Sequence, residues 1–466
     1  MNNEVNIVLD PKKKRLVILA SIIMYFNYMF ANMGCGLTLP RLLGGLNAMD
    51  IYATVLVFSS VGLMIASPVS GKLGDTLGRK WITIFSLAGF LICAAITGMS
   101  PNGWMLMVFW ALTGICGGFF VSASFSMIAD VTTIEERPKY IGYLATAAAV
   151  GQLAGPLLAG VLADNGLVRG PFFVGIPLGI VVICLYASCY PHVKLGVVSE
   201  NNKIDILGLF LLVVSICSIV FFLNFGNVIF PRTSPIGIAL LIIGIVGFIA
   251  LIIFEYNAKN PVVSVRLFKY KEFRIAWICH FLYTMYIVVV SGYLVLFGQN
   301  VMKVSVTVSS TFAMPQTICS AVLASFVGLY ISKSAKNYKK IYIFMGLCGA
   351  IPLLAWAFFL TPSSSVILIY ITTLIGGAGY ACDQVVNTPY LQSTMPKENY
   401  GAAQGMLIFA GSAAGTVCGA VSGVILNRDA PLEESLGMIF LIFGICLFLI
   451  FIIGLTSVRT RAEVKE

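Results

Sequence analysis

The sequence predicts an all-α polytopic membrane protein with two six-helix bundles and two extra central helices. Three observations lead to this fold class. Of its 466 residues, 59% are hydrophobic and only 10% are charged, whereas soluble domains have roughly 25% charged residues. The apolar residues fall into about fourteen runs, most of them near the ~20 residues that a helix needs to cross a bilayer. An internal repeat divides these runs into two halves.

Each run is expected to be a helix, because the bilayer core offers no hydrogen-bond partners to an unpaired backbone. The first run follows four consecutive basic residues at 12–15. It is longer than the ~7–15 apolar residues of a signal peptide, so we expect it to be the first membrane helix. The expected spans lie near 16–39, 51–71, 81–98, 103–129, 140–163, 171–190, 206–223, 236–255, 274–298, 307–331, 341–360, 365–390, 400–426 and 437–457.

The basic residues predict the orientation of the helices. If the N-terminus is cytoplasmic and the spans alternate, 24 of the 29 Lys and Arg side chains fall on the cytoplasmic side, as the positive-inside rule requires. Both termini are therefore predicted to be cytoplasmic, and the net charge of +10 does not indicate a nucleic-acid partner. The five cations assigned to the outside are Arg41, Arg169, Arg232, Lys303 and Arg428.

Two consecutive helices recur at an offset of 260 residues, where Thr113–Gly118 aligns with Thr373–Ala378. Such a repeat is expected when two bundles are related by an axis along the membrane normal. We therefore predict an N-terminal bundle over 1–196, two linker helices over 197–266 and a C-terminal bundle over 267–466. Paired bundles around a midplane cavity are typical of a transporter.

The second run is followed by an expected loop over 71–80, rich in glycine and charge. It reads Gly-Lys-Leu-Gly-Asp-Thr-Leu-Gly-Arg-Lys and resembles the G-x-L-x-D-x-x-G-R-K signature of the major facilitator superfamily. The resemblance implies a gate that closes the cytoplasmic side, in which Asp130 at the end of the fourth span pairs with Arg79. The residues of this predicted gate are Gly71, Asp75, Gly78, Arg79, Lys80 and Asp130.

The fifth span contains Gly151, Gly155, Pro156 and Gly160, which resemble the antiporter motif G-x-x-x-G-P-x-x-x-G of the same family. Glycines four residues apart allow two helices to approach closely, and proline bends a helix. In the family this motif accompanies exporters. Together with about fourteen spans, it resembles the fourteen-helix drug:proton antiporter branch.

Two positions that the family commonly links to proton coupling differ here. Phe30 stands where an aspartate is frequent and Trp110 where an arginine is frequent, while Thr113 replaces a glutamine. Asp383 is the candidate replacement, because a carboxylate within a membrane span is a functional candidate by default. His280 is a second candidate, since an ordinary histidine pKa near 6.5 suits proton exchange. A purely structural role is the alternative for both.

The first and fourth helices of each bundle line the cavity in the family. Polar and aromatic residues of these spans, and one of the fifth, are therefore candidates for substrate contact, and such a lining suits an amphipathic or aromatic ligand. These candidates are Asn27, Asn32, Trp110, Thr113, Gln152, Tyr283, Tyr286, Gln384 and Asn387.

We therefore predict a multi-pass protein of the cell membrane that acts as an alternating-access secondary transporter. Its expected activity is proton-coupled export of a small amphipathic or aromatic compound, by a monomer. The alternatives are a symporter or uniporter that imports an organic anion or metabolite, and a non-transporting membrane sensor. The sequence has no Gly-x-x-x-x-Gly-Lys-Ser/Thr loop and no metal-ligand spacing among its 12 cysteines, so we expect no cofactor and no metal, with the proton gradient as the energy source. An enzyme is disfavoured, because neither of its two histidines, His192 and His280, has a clustered acid–base partner in the sequence.

Overall fold

The computed structural model describes fourteen long α-helices within its described residues, which are 7, 9–48, 51–192, 205–225, 230–231, 233–258, 264–304, 308–309, 311–334, 336–396, 399–426 and 430–458. The first eight are α1 (Pro11–Gly45), α2 (Tyr52–Leu77), α3 (Arg79–Met99), α4 (Gly103–Val131), α5 (Arg137–Asp164), α6 (Pro171–Cys189), α7 (Ile206–Phe225) and α8 (Pro235–Asn257). The last six are α9 (Lys271–Asn300), α10 (Met314–Lys333), α11 (Asn337–Phe359), α12 (Val366–Thr394), α13 (Tyr400–Leu426) and α14 (Leu432–Thr456).

These helices lie at the fourteen predicted positions. Judged on the described residues, twelve are long and apolar enough to cross a membrane. The other two, α2 and α7, contain shorter apolar stretches over Phe58–Ser70 and Leu207–Phe222. The protein is therefore polytopic and all-helical in its described part, whereas fourteen crossings and cytoplasmic termini stay predictions.

The junction between α2 and α3 differs from the expected loop. Helix α2 continues through most of the gate segment to Leu77, and α3 begins at Arg79. The whole turn is made by Gly78, whose φ of 96° and ψ of 128° are unfavourable for any residue with a side chain. A single glycine therefore replaces the predicted loop and fixes the direction in which the chain leaves α2 and enters α3 at Arg79.

The repeated sequence falls on α4 and α12, each of which has 29 residues. Its shared glycine is at a close contact in both copies. A Cβ at Gly117 would lie 2.8 Å from the Tyr28 ring, and one at Gly377 would lie 2.6 Å from the Gln316 carbonyl oxygen. The repeat therefore preserves tight packing of the fourth helix of each predicted bundle.

The described residues group into two compact units. One takes its residues from 1–133, 150–270 and 395–412, and the other from 134–149, 271–394 and 413–466. An apolar cluster in the first includes Trp110 and Phe172, whereas Trp356 is among the largest buried side chains of the second. The division into domains predicted from the sequence stays a prediction.

Candidate functional site

The two proton-coupling candidates are in direct contact. Asp383 on α12 and His280 on α9 are 103 residues apart in sequence, and the Nδ1 atom of His280 lies 3.0 Å from Oδ2 and 3.2 Å from Oδ1 of Asp383. The aspartate side chain is 1% exposed and the histidine 25% exposed. The pair can hold its shared proton as imidazolium with carboxylate, or as neutral imidazole with carboxylic acid.

Asn387 and Tyr342 extend this pair. The Asn387 amide lies one turn after Asp383 and donates to Oδ1 of Asp383 at 2.8 Å and to its carbonyl oxygen at 3.0 Å. The Tyr342 hydroxyl on α11 donates to Oδ1 of Asn387 at 2.8 Å. Asn387, predicted to contact substrate, therefore has its amide committed to the carboxylate. We call His280, Asp383, Asn387 and Tyr342 the carboxylate site.

Two tyrosines predicted to line the cavity lie beside this site. Tyr283 and Tyr286 of α9 are fully buried. The Tyr283 hydroxyl donates to the Gly376 carbonyl oxygen at 2.7 Å, and the Tyr286 ring stacks on Trp356 with centroids 6.4 Å apart. Both rings pack between helices, so here their contacts hold α9 against α12 and α11.

Three candidates of the first unit are similarly buried. The Asn27 amide donates to the Gly175 carbonyl oxygen of α6 at 3.1 Å. The Trp110 ring lies edge-on to Phe172, also on α6, with centroids 6.0 Å apart. Thr113 donates to the carbonyl oxygen of Trp110 at 2.6 Å. These contacts stabilise helix packing, and a role in substrate contact stays a prediction.

The remaining candidates for the cavity, Asn32, Gln152 and Gln384, are half-buried. Gln152 on α5 has its amide nitrogen 3.7 Å from the Met29 sulfur of α1. The contact of these three side chains with substrate also stays a prediction.

Arg79 and Asp130 of the predicted gate form a buried ion pair. Nη1 of Arg79 lies 2.6 Å from Oδ1 of Asp130 and donates to the Ser126 carbonyl oxygen at 3.0 Å. The Tyr190 hydroxyl, just after α6, donates to Oδ2 of the same carboxylate at 2.6 Å. Both oxygens of Asp130 therefore have partners, and the ends of α3, α4 and α6 are joined around one charge. We call Arg79, Asp130 and Tyr190 the gate triad.

The other gate residues have separate positions. Lys80 donates to the Ala187 carbonyl oxygen at 2.7 Å and lies over the Trp81 ring, 5.9 Å from its centroid. Gly71 and Asp75 belong to the helical backbone of α2, but the Asp75 side chain lies outside the described part of the structure. The predicted role of Asp75 therefore stays a prediction.

The antiporter motif brings α5 against α1. A Cβ at Gly151 would lie 2.7 Å from the Phe26 carbonyl oxygen, and one at Gly155 would collide with that of Phe30. Pro156 lies inside the same helix. At Gly160 a Cβ would meet nothing within 4 Å. Two of the three glycines thus allow the close approach, whereas Gly160 is not needed for it.

No group of three or more His, Cys, Asp or Glu side chains that would hold a metal occurs among the described residues. The described residues do bring together an aspartate–histidine contact at the carboxylate site and a buried ion pair at the gate triad.

Comparison with known proteins identifies the family. The Major Facilitator Superfamily profile matches residues 17–419. The chain is 28% identical over 340 residues to "Multidrug resistance protein 3" of Bacillus subtilis, covering 73% of this chain and 65% of that protein. It is 25% identical over 407 residues to "Multidrug export protein EmrB" of Escherichia coli, covering 85% and 78%. The chain therefore spans about two thirds to three quarters of these relatives.

The fold also matches a solved structure, that of the proton:xylose symporter XylE. Its TM-score is 0.69 at 14% identity, with 97% of this chain and 98% of that chain covered. The likeness confirms the fold alone. The family match and the multidrug relatives make the protein a secondary transporter of the cell membrane and not an enzyme. The chain, as its gate and antiporter motifs predict, belongs to the major facilitator superfamily.

Proposed function

We propose that the protein exports a small amphipathic or aromatic compound in exchange for protons, with Asp383 as the proton carrier. The observation that carries the proposal is the contact of a buried carboxylate with a histidine inside two membrane helices. The glycine motif that accompanies exporters, and two relatives with "multidrug resistance" and "multidrug export" in their names, support the direction and the substrate class.

A proton carrier must be stable both with and without its proton. An ionised aspartate at the centre of a membrane helix costs about 2.5–3.5 kcal/mol on insertion scales. Imidazole Nδ1 and the Asn387 amide offset that cost, because both lie within hydrogen-bonding distance of the carboxylate. When the carboxylate takes up a proton, the carboxylate site gains one positive charge.

That change in charge links the proton to movement of α9 and α12. The His280–Asp383 contact joins these two helices. Neutralising Asp383 therefore weakens the electrostatic attraction between the two side chains, and a change in the protonation of His280 alters that attraction again. Because His280 is the more exposed member, we propose that protons reach Asp383 through its ring. The transporter works as a monomer without a cofactor, and the proton gradient supplies the energy.

The test uses purified protein in liposomes with an acidic lumen and a trapped pH dye. Lipophilic cations, neutral aromatics and amphipathic anions are added in turn. Substrate of one class is expected to make the lumen more alkaline, and protein-free liposomes are not. Asp383→Asn is expected to abolish this signal while retaining counterflow of labelled substrate, which needs no net proton movement.

Matched variants separate the carrier from general damage. Glu434→Gln removes an exposed carboxylate at the start of α14 and is expected to behave like wild type. His280→Asn is expected to slow exchange roughly a hundredfold, as for loss of an acid–base group, whereas exposed His192→Asn is not. Full proton coupling in Asp383→Asn refutes the carrier assignment. Accumulation of an organic anion without a pH signal instead supports an importing uniporter.

A further inference from the structure

A cavity of about 500 Å³ lies in the first unit, between the end of α1 and the turn that joins α5 to α6. It is separate from the carboxylate site and the gate triad. Two arginines line it, Arg41 from α1 and Arg169 from the turn. Both are among the five cations that the predicted topology assigns to the outer side of the membrane.

The rest of the lining is mostly apolar. Leu42 contributes from α1 and Leu46 from just after its end, and Leu167 and Phe173 contribute from the α5–α6 region. Leu167 is 58% exposed and Phe173 37% exposed. The cavity thus combines two cations with accessible hydrocarbon, which is the pattern that complements an amphipathic anion.

The backbone adds to this preference. The N-terminus of α6 at Pro171 is next to the cavity residue Gly170, and the N-terminal end of a helix favours a nearby negative charge. Gly166 has a φ of 80° and open space where a Cβ would be, so the turn leaves room there. Arg169 donates to the Gly98 carbonyl oxygen at 3.2 Å, which holds one end of its guanidinium group in place.

We propose that this cavity binds the phosphate headgroup of an anionic phospholipid, with its acyl chains along the exposed apolar side chains. A guanidinium group suits phosphate because it presents several N–H donors in one plane. Both α1 and α5 are long and apolar enough to cross a membrane, and the cavity lies at the end of each, which is the level of the headgroups in a bilayer. The site is independent of the proposed proton exchange.

The test uses the purified full-length protein and three ligands in turn. It measures how tightly short-chain phosphatidylglycerol, short-chain phosphatidylcholine and inorganic phosphate bind. The readouts are the rise in Tm and lipid adducts in native mass spectrometry. Phosphatidylglycerol is expected to raise the Tm by binding the folded state, with phosphatidylcholine weaker. Inorganic phosphate is expected to have little effect, because it makes no contact with the apolar lining.

Paired variants assign the site. Arg41→Gln with Arg169→Gln is expected to weaken phosphatidylglycerol binding at least about tenfold, since charge-assisted hydrogen bonds are lost. Arg41→Lys with Arg169→Lys keeps both charges but not the planar N–H donors, and is expected to bind more tightly than the glutamine pair and less tightly than wild type, which separates loss of charge from misfolding. Lys303→Gln removes an exposed cation that is assigned to the outside but does not line the cavity, and is expected to change nothing.

Three results would overturn the proposal. Unchanged binding in the double glutamine variant would place the lipid elsewhere. Equal affinity for phosphatidylcholine would remove the argument from charge. An equal response to inorganic phosphate would make the cavity a site for soluble anions and not for lipid.

Discussion

At the scale of single residues, the gate triad shows how a charge is kept inside an apolar helix bundle. Asp130 is fully buried and Arg79 is 3% exposed, so each has lost most of its contact with solvent. A buried pair of this kind contributes little net stability, because desolvation offsets the attraction, but removal of one partner is costly. Tyr190 donates to the second carboxylate oxygen and so reduces the cost of burying Asp130.

Variants of the gate triad are expected to lose different amounts of stability. Asp130→Asn is expected to destabilise the protein by about 3–5 kcal/mol, because Arg79 stays buried without that charge. Tyr190→Phe is expected to cost about 1.5–3 kcal/mol, the value for one hydrogen bond to a charged group. The double variant Arg79→Met/Asp130→Leu is expected to be more stable than Asp130→Asn.

Unfolding midpoints in a mixed-detergent titration check these values. Lys80→Met is the control for loss of a cation, because Lys80 contacts a backbone carbonyl oxygen and an aromatic ring. A double variant Arg79→Met/Asp130→Leu that loses at least as much stability as Asp130→Asn would contradict this account of the buried pair.

The sequence predicted some of these contacts and missed others for a physical reason. The Arg79–Asp130 pairing follows from a motif, since the family resemblance supplies both positions. The contact of His280 with Asp383 was not predicted, although each residue was a candidate. In a helix that is apolar on nearly every side, the sequence pattern does not indicate which face points into the bundle. Tyr190 and Tyr342 had no distinguishing signal among 19 tyrosines.

At the scale of helices, glycines decide which pairs approach closely. Gly151 and Gly155 place α5 against the backbone of α1, whereas Gly160 faces open space one turn later. Within the antiporter motif, Gly151 and Gly155 therefore determine the packing of α5 against α1, and Gly160 does not. Hydropathy predicted the positions of the helices well. It did not predict that Gly78 alone would separate α2 from α3, because the apolar run ends at the same residue whether a long loop or a one-residue turn follows.

Two alanine variants of α5 test this difference. Gly155→Ala is expected to lower the Tm, because the new Cβ collides with the Phe30 carbonyl oxygen. Gly160→Ala is expected to leave the Tm unchanged or raise it, since alanine is favoured over glycine in a helix by about 0.5–1 kcal/mol and finds no obstacle. Thermal unfolding in one detergent measures both. Equal effects of the two changes would show that the α1–α5 contact does not depend on this glycine.

At the scale of the whole molecule, the distribution of cations and the number of crossings are linked. The division of 24 inside and 5 outside depends on α7 and α8 both crossing the membrane, and α7 is one of the two helices with a shorter described apolar stretch. If neither crossed, the turn before α8 would lie on the cytoplasmic side while the later helices kept their orientation.

Labelling of single introduced cysteines decides between twelve and fourteen crossings. Thr233→Cys, exposed before α8, is expected to react with a membrane-impermeant maleimide in intact cells. Ser334→Cys, exposed after α10, is expected to react only after permeabilisation. Wild type supplies the background from native cysteines. Protection of Thr233→Cys in intact cells, with reaction after permeabilisation, would contradict fourteen crossings.

The gate triad also has a consequence for the order in which the protein is made. Arg79 is synthesised 51 residues before Asp130, and Tyr190 follows 60 residues later. At about 5–20 residues per second, the ribosome needs roughly 3–12 s to add that last stretch. A nascent chain that has released α4 into the bilayer therefore already contains the arginine for its buried carboxylate, but the Tyr190 hydroxyl that donates to the second oxygen is added only with the end of α6. The rate of translation therefore sets the earliest time at which the ends of α3, α4 and α6 can join around the charge.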